Sequence, residues 1–194
     1  AQKQQHIRAI VNGESRWCQG YSEPGAGSDL ASLQCKAEDM GDHFLVNGSK
    51  IWTTAADKCD WIFCLVRTDP NVKKQEGISF LLVDMKTPGI TLRTIRNIAG
   101  HEEFCQVFFD NVRVPRRNLI GAEGQGFMIQ MMQFQEERMW GAANAIGGLD
   151  GVIKATIAYT KERHAFDQPL IDNQYVHFKL AELQTEVEAL RALV

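Results

Sequence analysis

The chain has 194 residues, 44% of them hydrophobic, which is enough for one large or two small domains with a buried core. Its formal net charge is -3, from 21 basic and 24 acidic residues, so it offers no broad cationic field to nucleic acid or to an anionic membrane. The longest apolar runs, such as 62–66 and 80–83, are too short to span a bilayer and no signal segment opens the chain, so we expect a soluble, unsecreted protein without a nucleic acid or membrane partner.

Residues 2–16 are typical of the end of a helix followed by a turn at Asn12-Gly13. No helix-start signal precedes them. We therefore expect the chain to begin inside an element, and we assign residues 1–16 to the end of a truncated N-terminal helical domain.

From Trp17 to Val114 the chain consists of short runs rich in β-branched and aromatic residues, separated by Gly, Pro, Asn and Asp. A turn is predicted at Asn47-Gly48-Ser49. The predicted strands are 43–46, 50–54, 61–67, 78–83, 90–95 and 104–114. So many strands without long helices between them favour an antiparallel sandwich or barrel, and we assign residues 17–117 to a β-barrel middle domain.

After Pro115 the hydrophobic period becomes helical. A turn-rich hinge at 121–126 precedes a predicted helix from about 127 to 163, and the loop at 167–169 ends it. A final helix carries one apolar stripe, formed by Val176, Leu180, Leu183, Val187, Leu190 and Val194. We assign residues 118–194 to the beginning of a truncated C-terminal helical bundle, whose other helices are missing or come from other chains, so the predicted fold class is α+β.

The cysteines are odd in number and lack C-x-x-C spacing, which argues against both a disulfide framework and a zinc site. We expect no metal and reduced thiols in a reducing compartment. The five are Cys18, Cys35, Cys59, Cys64 and Cys105.

The loop at 19–29 (QGYSEPGAGSD) concentrates glycine, proline and serine in a short space. Such a loop exposes backbone N–H groups, which suits a phosphate or an electron-poor ring with carbonyl oxygens. On spacing alone, an ordinary surface loop is the commoner interpretation, because glycine-rich loops are frequent.

The full string resembles the signature of the acyl-CoA dehydrogenase family, in which a Ser/Thr-Glu-Pro-x-x-Gly-Ser-Asp loop borders the flavin. Three further segments are similar to family motifs and follow in the expected order. They are 47–54 (NGSKIWTT), 121–127 (GAEGQGF) and 163–170 (RHAFDQPL) with Gln174 after it. The chain is therefore identified as a member of this family.

The resemblance implies an FAD cofactor, held in part by the loop and in part by a strand. It places Trp52 against the isoalloxazine ring and Thr54 near its N5. It also implies that part of the site binds the FAD of a neighbouring subunit, and hence a homotetramer or dimer; a heteromeric assembly stays open. The implied cofactor residues are Gln19, Tyr21, Ser22, Gly27, Ser28, Trp52, Thr53 and Thr54 in the same subunit and Arg163, Phe166 and Gln174 toward the neighbour.

The implied reaction is the α,β-dehydrogenation of an acyl-CoA thioester to the trans-2-enoyl-CoA, with electrons passed to an electron-transfer flavoprotein. Glu137 matches one of the family's two positions for the base that takes the α-proton, and Ser28, Phe134 and Arg138 match substrate contacts. The other base position lies beyond Val194. Without the resemblance, Glu136 and Glu137 would be a solvated face, with Arg138 as a local ion-pair partner.

Three positions depart from the usual family pattern. Tyr21 replaces a smaller aliphatic residue, Ala55-Ala56 replace Asn-Gly, and Asp167 replaces a glycine whose backbone angle an aspartate reaches less easily. The strings around Trp17 and Phe134 look like those of bacterial members, so we expect a cytoplasmic protein, or a matrix protein if it is mitochondrial.

Two alternatives to a dehydrogenase stay open from the sequence. The first is an acyl-CoA oxidase on the same fold, in which oxygen reoxidises the flavin. The second is a non-catalytic subunit that binds a catalytic partner through the apolar stripe at 176–194.

Overall fold

The computed structural model describes residues 1–194 and forms two compact units, Ala1–Met131 and Met132–Val194. The first unit opens with helix α1 (Gln2–Val11), which ends at Asn12 and Gly13 as predicted. Eight strands follow. They are β1 (Trp17–Gly20), β2 (Lys36–Asp39), β3 (His43–Thr54), β4 (Trp61–Arg67), β5 (Ile78–Asp84), β6 (Ile90–Ile95), β7 (Phe104–Pro115) and β8 (Leu119–Ile120).

The eight strands form one sheet in the order β6-β7-β3-β2-β4-β5-β8, with β1 paired to β4. The mixed α+β class is confirmed. Closure into a barrel is not confirmed, because the strand path has two separate ends at β6 and β8. The sheet is also not purely antiparallel, since β1 and β2 both pair with β4 in parallel.

The core of this unit lies on the inward face of the long strands. Alternate residues of β3 and β7 are buried, whereas β4 and β5 are buried almost continuously. This is the expected difference between strands covered on one face and strands covered on both. The core includes Phe44, Val46, Ile62, Cys64, Val66, Leu81, Val83, Val107, Val112 and Val114.

The predicted turn at Asn47-Gly48-Ser49 is wrong, because β3 runs through it as one strand. The pairing of β3 with β7 shifts register between Val46 and Gly48, and Gly48 has φ +141°. A Cβ at Gly48 would lie 2.8 Å from the Cα of Cys35. The glycine therefore permits a bulge and a close backbone approach rather than a chain reversal.

The second unit is helical. Helix α2 (Gly126–Glu162) begins in the first unit and continues into the second, and it matches the predicted helix at 127–163 within one residue at each end. A short hairpin follows, formed by the two-residue strands β9 (His164–Ala165) and β10 (Gln168–Pro169). The last element is α3 (Gln174–Leu193).

Part of the predicted apolar stripe on α3 is buried against α2. Val187 forms a cluster with Ile146 and Ile153, while Leu183 and Val194 stay 37% and 49% exposed. None of the helices has the length and apolar character needed to cross a membrane.

Candidate functional site

The glycine-rich loop after β1 lies against strand β3. The Ile51 N–H donates to the Ser22 carbonyl oxygen over 2.9 Å. Glu23 and Ala26 exchange backbone hydrogen bonds of 2.8 and 3.0 Å, which closes the loop into a tight turn around Pro24 and Gly25. The structure therefore brings together the two segments that the sequence assigned to one site.

The residues of the loop differ in exposure. Tyr21 is buried, and its ring contacts those of Phe63 and Phe80 with centroid distances of 5.8 and 6.1 Å. A larger aromatic residue at this position therefore fills part of the core. Gln19 and Ser22 are half-buried, and Gly27 and Ser28 are exposed.

Trp52 has an unusual backbone and an open side chain. Its φ is +61° and it is 58% exposed, although bulky residues rarely adopt the left-handed region. The conformation accompanies a register shift of β3 against β7 between Lys50 and Thr53. Phe104 supports the indole edge-on, with ring centroids 6.2 Å apart. Strain of this kind concentrates at binding and catalytic sites.

A buried ion pair lies beneath the loop, and we did not predict it from the sequence. The Lys50 ammonium is 2.7 Å from a Glu23 carboxylate oxygen, with the side chains 0% and 8% exposed. The sequence does contain a signal for a buried lysine, because Lys50 alternates with Phe44 and Val46 and so lies at an inward position of β3. A lysine in such a place needs a buried carboxylate, and Glu23 of the loop supplies it.

A second buried cation, Arg67, holds the chain that follows the loop. Its guanidinium donates to the carbonyl oxygens of Ala31 (2.6 Å), Leu33 (3.1 and 3.3 Å) and Lys74 (2.5 Å). Burial lowers the pKa of Arg67, and the negative charge of Glu23 opposes that shift. Arg67 and Lys50 together place two cations near one carboxylate.

The residues in this region fit a planar cofactor that forms hydrogen bonds, such as a flavin. Trp52 presents an aromatic face, and a Cβ placed at Gly25 or Gly27 would meet nothing within 4 Å, so a ligand can approach the backbone. The Thr53 hydroxyl is buried without a hydrogen-bond partner, while Thr54 is exposed. The assignment of individual contacts stays a prediction.

The second unit holds the predicted base and two of the three predicted substrate residues, Phe134 and Arg138, on one stretch of α2. The Arg138 guanidinium lies 5.6 Å from the centroid of the Phe134 ring, and Gln133 donates to a Glu137 carboxylate oxygen over 3.4 Å. Glu137 is exposed in this unit. Glu137 and Phe134 are three residues apart on the helix, so they share a face.

The residues predicted to contact a neighbouring subunit surround the β9–β10 hairpin. Its two-residue turn is Phe166-Asp167, with φ of +54° and +63°, as in a type I′ turn. Phe166 is 98% exposed, and a 2.8 Å hydrogen bond from the Leu170 N–H to the Arg163 carbonyl oxygen closes the open end of the hairpin. Gln174 begins α3.

The backbone angle at Asp167 explains why a glycine is usual there. A φ of +63° lies in the left-handed region, which glycine adopts freely and aspartate at some cost. Asp167 thus adopts a backbone angle that aspartate reaches less easily than glycine.

Comparison with known proteins gives a consistent result over most of the chain. Family models match at residues 18–112 (acyl-CoA dehydrogenase, middle domain) and 124–194 (acyl-CoA dehydrogenase, C-terminal domain). The acyl-CoA dehydrogenase FadE34 of Mycobacterium tuberculosis is 46% identical over 138 residues, which are 71% of this chain and 19% of that protein.

Solved structures agree. An acyl-CoA dehydrogenase from Geobacillus kaustophilus is 36% identical with a TM-score of 0.90, and the match covers 98% of this chain and 51% of that one. A structure described as the electron transferring flavoprotein of Acidaminococcus fermentans is 33% identical with a TM-score of 0.92, covering 99% and 51%. The chain thus spans about half the length of these solved chains.

Proposed function

The chain belongs to the acyl-CoA dehydrogenase family, and we propose that its protein uses FAD to convert an acyl-CoA thioester to the trans-2-enoyl-CoA. The observation that carries this proposal is that the glycine-rich loop lies against the strand that bears a strained, exposed tryptophan. Ile51, the neighbour of Trp52 on that strand, donates its N–H to the Ser22 carbonyl oxygen of the loop. An arrangement of this kind offers a flat apolar face beside backbone donors, which is what an isoalloxazine ring requires.

The residues of the chain would bind and orient the cofactor and the substrate. When bound, FAD would supply a hydride acceptor for the β-hydrogen of the substrate. Ser22 and the neighbouring backbone N–H groups would hold the pyrimidine end of the ring, and Thr54 would donate near N5. Ser28 would lie where the ring meets the acyl group.

Glu137 is the proposed base for the α-proton. A carboxylate that takes a weakly acidic proton needs an apolar setting, which a bound acyl chain would complete. Phe134 and Arg138 of the same helical stretch would contact the substrate. The loss of a proton and a hydride from one substrate would require the base and the hydride acceptor both to be fixed in place.

We further propose that electrons leave to an electron-transfer flavoprotein and that the enzyme is an oligomer. The similarity to a structure described as an electron transferring flavoprotein supports the first point. The almost fully exposed Phe166 supports the second, because a 98% exposed aromatic ring on a strained turn is typical of a residue that binds another surface. Arg163 and Gln174 would accompany it against the neighbour's FAD.

A pair of matched variants tests the proposed base in the full-length protein. Glu137→Gln should slow flavin reduction by an acyl-CoA by roughly 10²-fold or more while FAD stays bound. Glu136→Gln, one residue away and also exposed, should reduce at the unaltered rate. Undiminished reduction in Glu137→Gln would place the base elsewhere, and steady peroxide production in air would favour an oxidase.

A further inference from the structure

The ion pair between Glu23 and Lys50 is built into the region that joins the two proposed flavin-contacting segments. The Glu23 carboxylate accepts three hydrogen bonds, from the Lys50 ammonium (2.7 Å) and from the backbone N–H groups of Gln34 (2.6 Å) and Cys35 (2.8 Å). The Lys50 ammonium also donates to the Tyr21 carbonyl oxygen over 3.2 Å. Both charged groups are therefore satisfied by fixed partners.

Stability alone does not account for this pair. Removing an ammonium and a carboxylate from water costs several kcal/mol for each ion, and replacement of a buried pair by apolar residues is often neutral or stabilising. The neighbouring inward positions of β3, Phe44 and Val46, are filled by apolar residues that are 0% exposed. An apolar residue at position 50 would continue the same core.

The pair does provide a defined position for the loop. Three hydrogen bonds link the segment 21–23 to the segment 50–51, namely Lys50 to Glu23, Lys50 to the Tyr21 carbonyl, and the Ile51 N–H to the Ser22 carbonyl. Two of these three depend on the ammonium group. Trp52 follows two residues later on the same strand, so a shift of the loop against β3 would change the distance between Ser22 and the indole.

We propose that Lys50, anchored by Glu23, is a positioning residue that holds the loop 19–28 and the strand segment 50–54 in the one arrangement that accepts FAD. This inference rests on the proposed function. Lys50 itself touches neither substrate nor cofactor. It acts by raising the fraction of the protein in which both segments are correctly spaced, and the apparent affinity for FAD is reduced in proportion when that fraction falls.

The test compares variants of the full-length protein by three readouts that do not depend on turnover. These are the melting temperature of the FAD-free protein, the hydrogen exchange rate of the Ile51 amide in that protein, and the dissociation constant for FAD. Lys50→Met removes the charge and keeps the length of the side chain. Lys50→Arg keeps a cation with several donors, so its dissociation constant for FAD should lie between those of Lys50→Met and the unaltered protein. Lys50→Gln, which removes the charge but keeps a polar group, replaces Lys50→Met should the latter not fold.

The control is Val112→Ala, a cavity variant on β7 that is buried in the same core and distant in sequence from both segments. It lowers the melting temperature without removing any link between them. At a comparable loss of melting temperature, Lys50→Met should raise the dissociation constant for FAD about tenfold or more and speed exchange at Ile51, and Val112→Ala should do neither.

Each other outcome overturns the inference in a distinguishable way. If Lys50→Met binds FAD as tightly as the unaltered protein, or weakens binding no more than Val112→Ala does, Lys50 is only a core residue and the proposed function stands. If Ile51 exchanges at the unaltered rate, the loop is positioned by other contacts. If the unaltered full-length protein binds no FAD at all, the proposed function fails together with this inference.

Discussion

Gly126, the first residue of α2, lies directly against the backbone of β5, and Gly126→Ala should destabilise the first unit. A Cβ there would be 2.5 Å from the Ser79 carbonyl carbon and 2.8 Å from the Phe80 nitrogen. Neither neighbour is the flexible end of a side chain, so the start of the helix or the strand must move. Overpacking of this kind costs about 1–3 kcal/mol, and the contact with backbone places the expected loss near the upper end.

A matched control lies in the same helix. A Cβ at Gly147 would meet nothing within 4 Å, so Gly147→Ala should gain about 0.5–1 kcal/mol from helix propensity. The two substitutions make the same chemical change with opposite expected signs. The contrast therefore separates steric contact from propensity.

Urea denaturation of both variants measures the difference. The stacked pair Trp17 and Trp61, with ring centroids 5.4 Å apart, should give a near-ultraviolet circular dichroism signal for the first unit. Far-ultraviolet circular dichroism reports the helices. If Gly126→Ala were as stable as the unaltered protein, the close seating of the helix on β5 would be refuted.

Three further predictions concern strain, thiols and pH. Asp167→Val should lower the free energy of unfolding by about 1–2 kcal/mol, because a β-branched residue fits the left-handed region poorly. Asp167→Gly should change it by less than about 0.5 kcal/mol, because the relief of strain is offset by the greater entropy of the unfolded chain. Equal melting curves for the two variants would contradict the left-handed turn. Cys59 is the one partly buried thiol, and burial raises its pKa, so it should react slowly with a disulfide reagent in the native protein. The other four thiols are buried and should react only after unfolding, so Cys59→Ser should show no reaction in the native state. Burial of His6, whose ring lies edge-on to Trp17 and Trp61, lowers its pKa, so the unfolded chain takes up a proton at a higher pH than the folded chain does. The melting temperature should therefore decline as the pH falls through the ordinary imidazole range. His6→Phe should flatten this decline, and an unchanged slope would assign the decline to other groups.

Much of the fold was predictable because its elements carry strong local patterns. The strands 61–67 and 90–95 agree with the structure at both ends, and the long helix agrees within one residue. The short strands β1 and β2 were not predicted individually, and their parallel pairing with β4 joins segments distant in sequence. Such pairings depend on the whole sheet, so no local pattern announces them.

The sheet also shows where a local signal misleads. Asn47-Gly48-Ser49 has the composition of a hairpin turn, yet Gly48 is needed because Cys35 approaches its Cα closely. Glycine serves both purposes equally well, and the sequence alone does not separate them.

The candidate site was predictable in its segments and not in its supporting contacts. The loop and Trp52 stood out through residue type and family resemblance. The strain at Trp52 depends on the register of β3 against its neighbours, which no motif encodes. Lys50 alternates with Phe44 and Val46, which indicates a buried lysine but does not identify Glu23 as its partner. The departure from glycine at Asp167 indicated a position sensitive to φ, and the structure gives the angle itself as +63°.

The central claim is that this chain forms part of an FAD-dependent enzyme that oxidises an acyl-CoA. The most direct measurement is the visible absorption spectrum of the full-length protein, recorded without air before and after a panel of acyl-CoA thioesters is added. We expect a flavin spectrum that bleaches with at least one thioester while the trans-2-enoyl-CoA forms in equal amount. A full-length protein that contains no flavin and takes none up would contradict it.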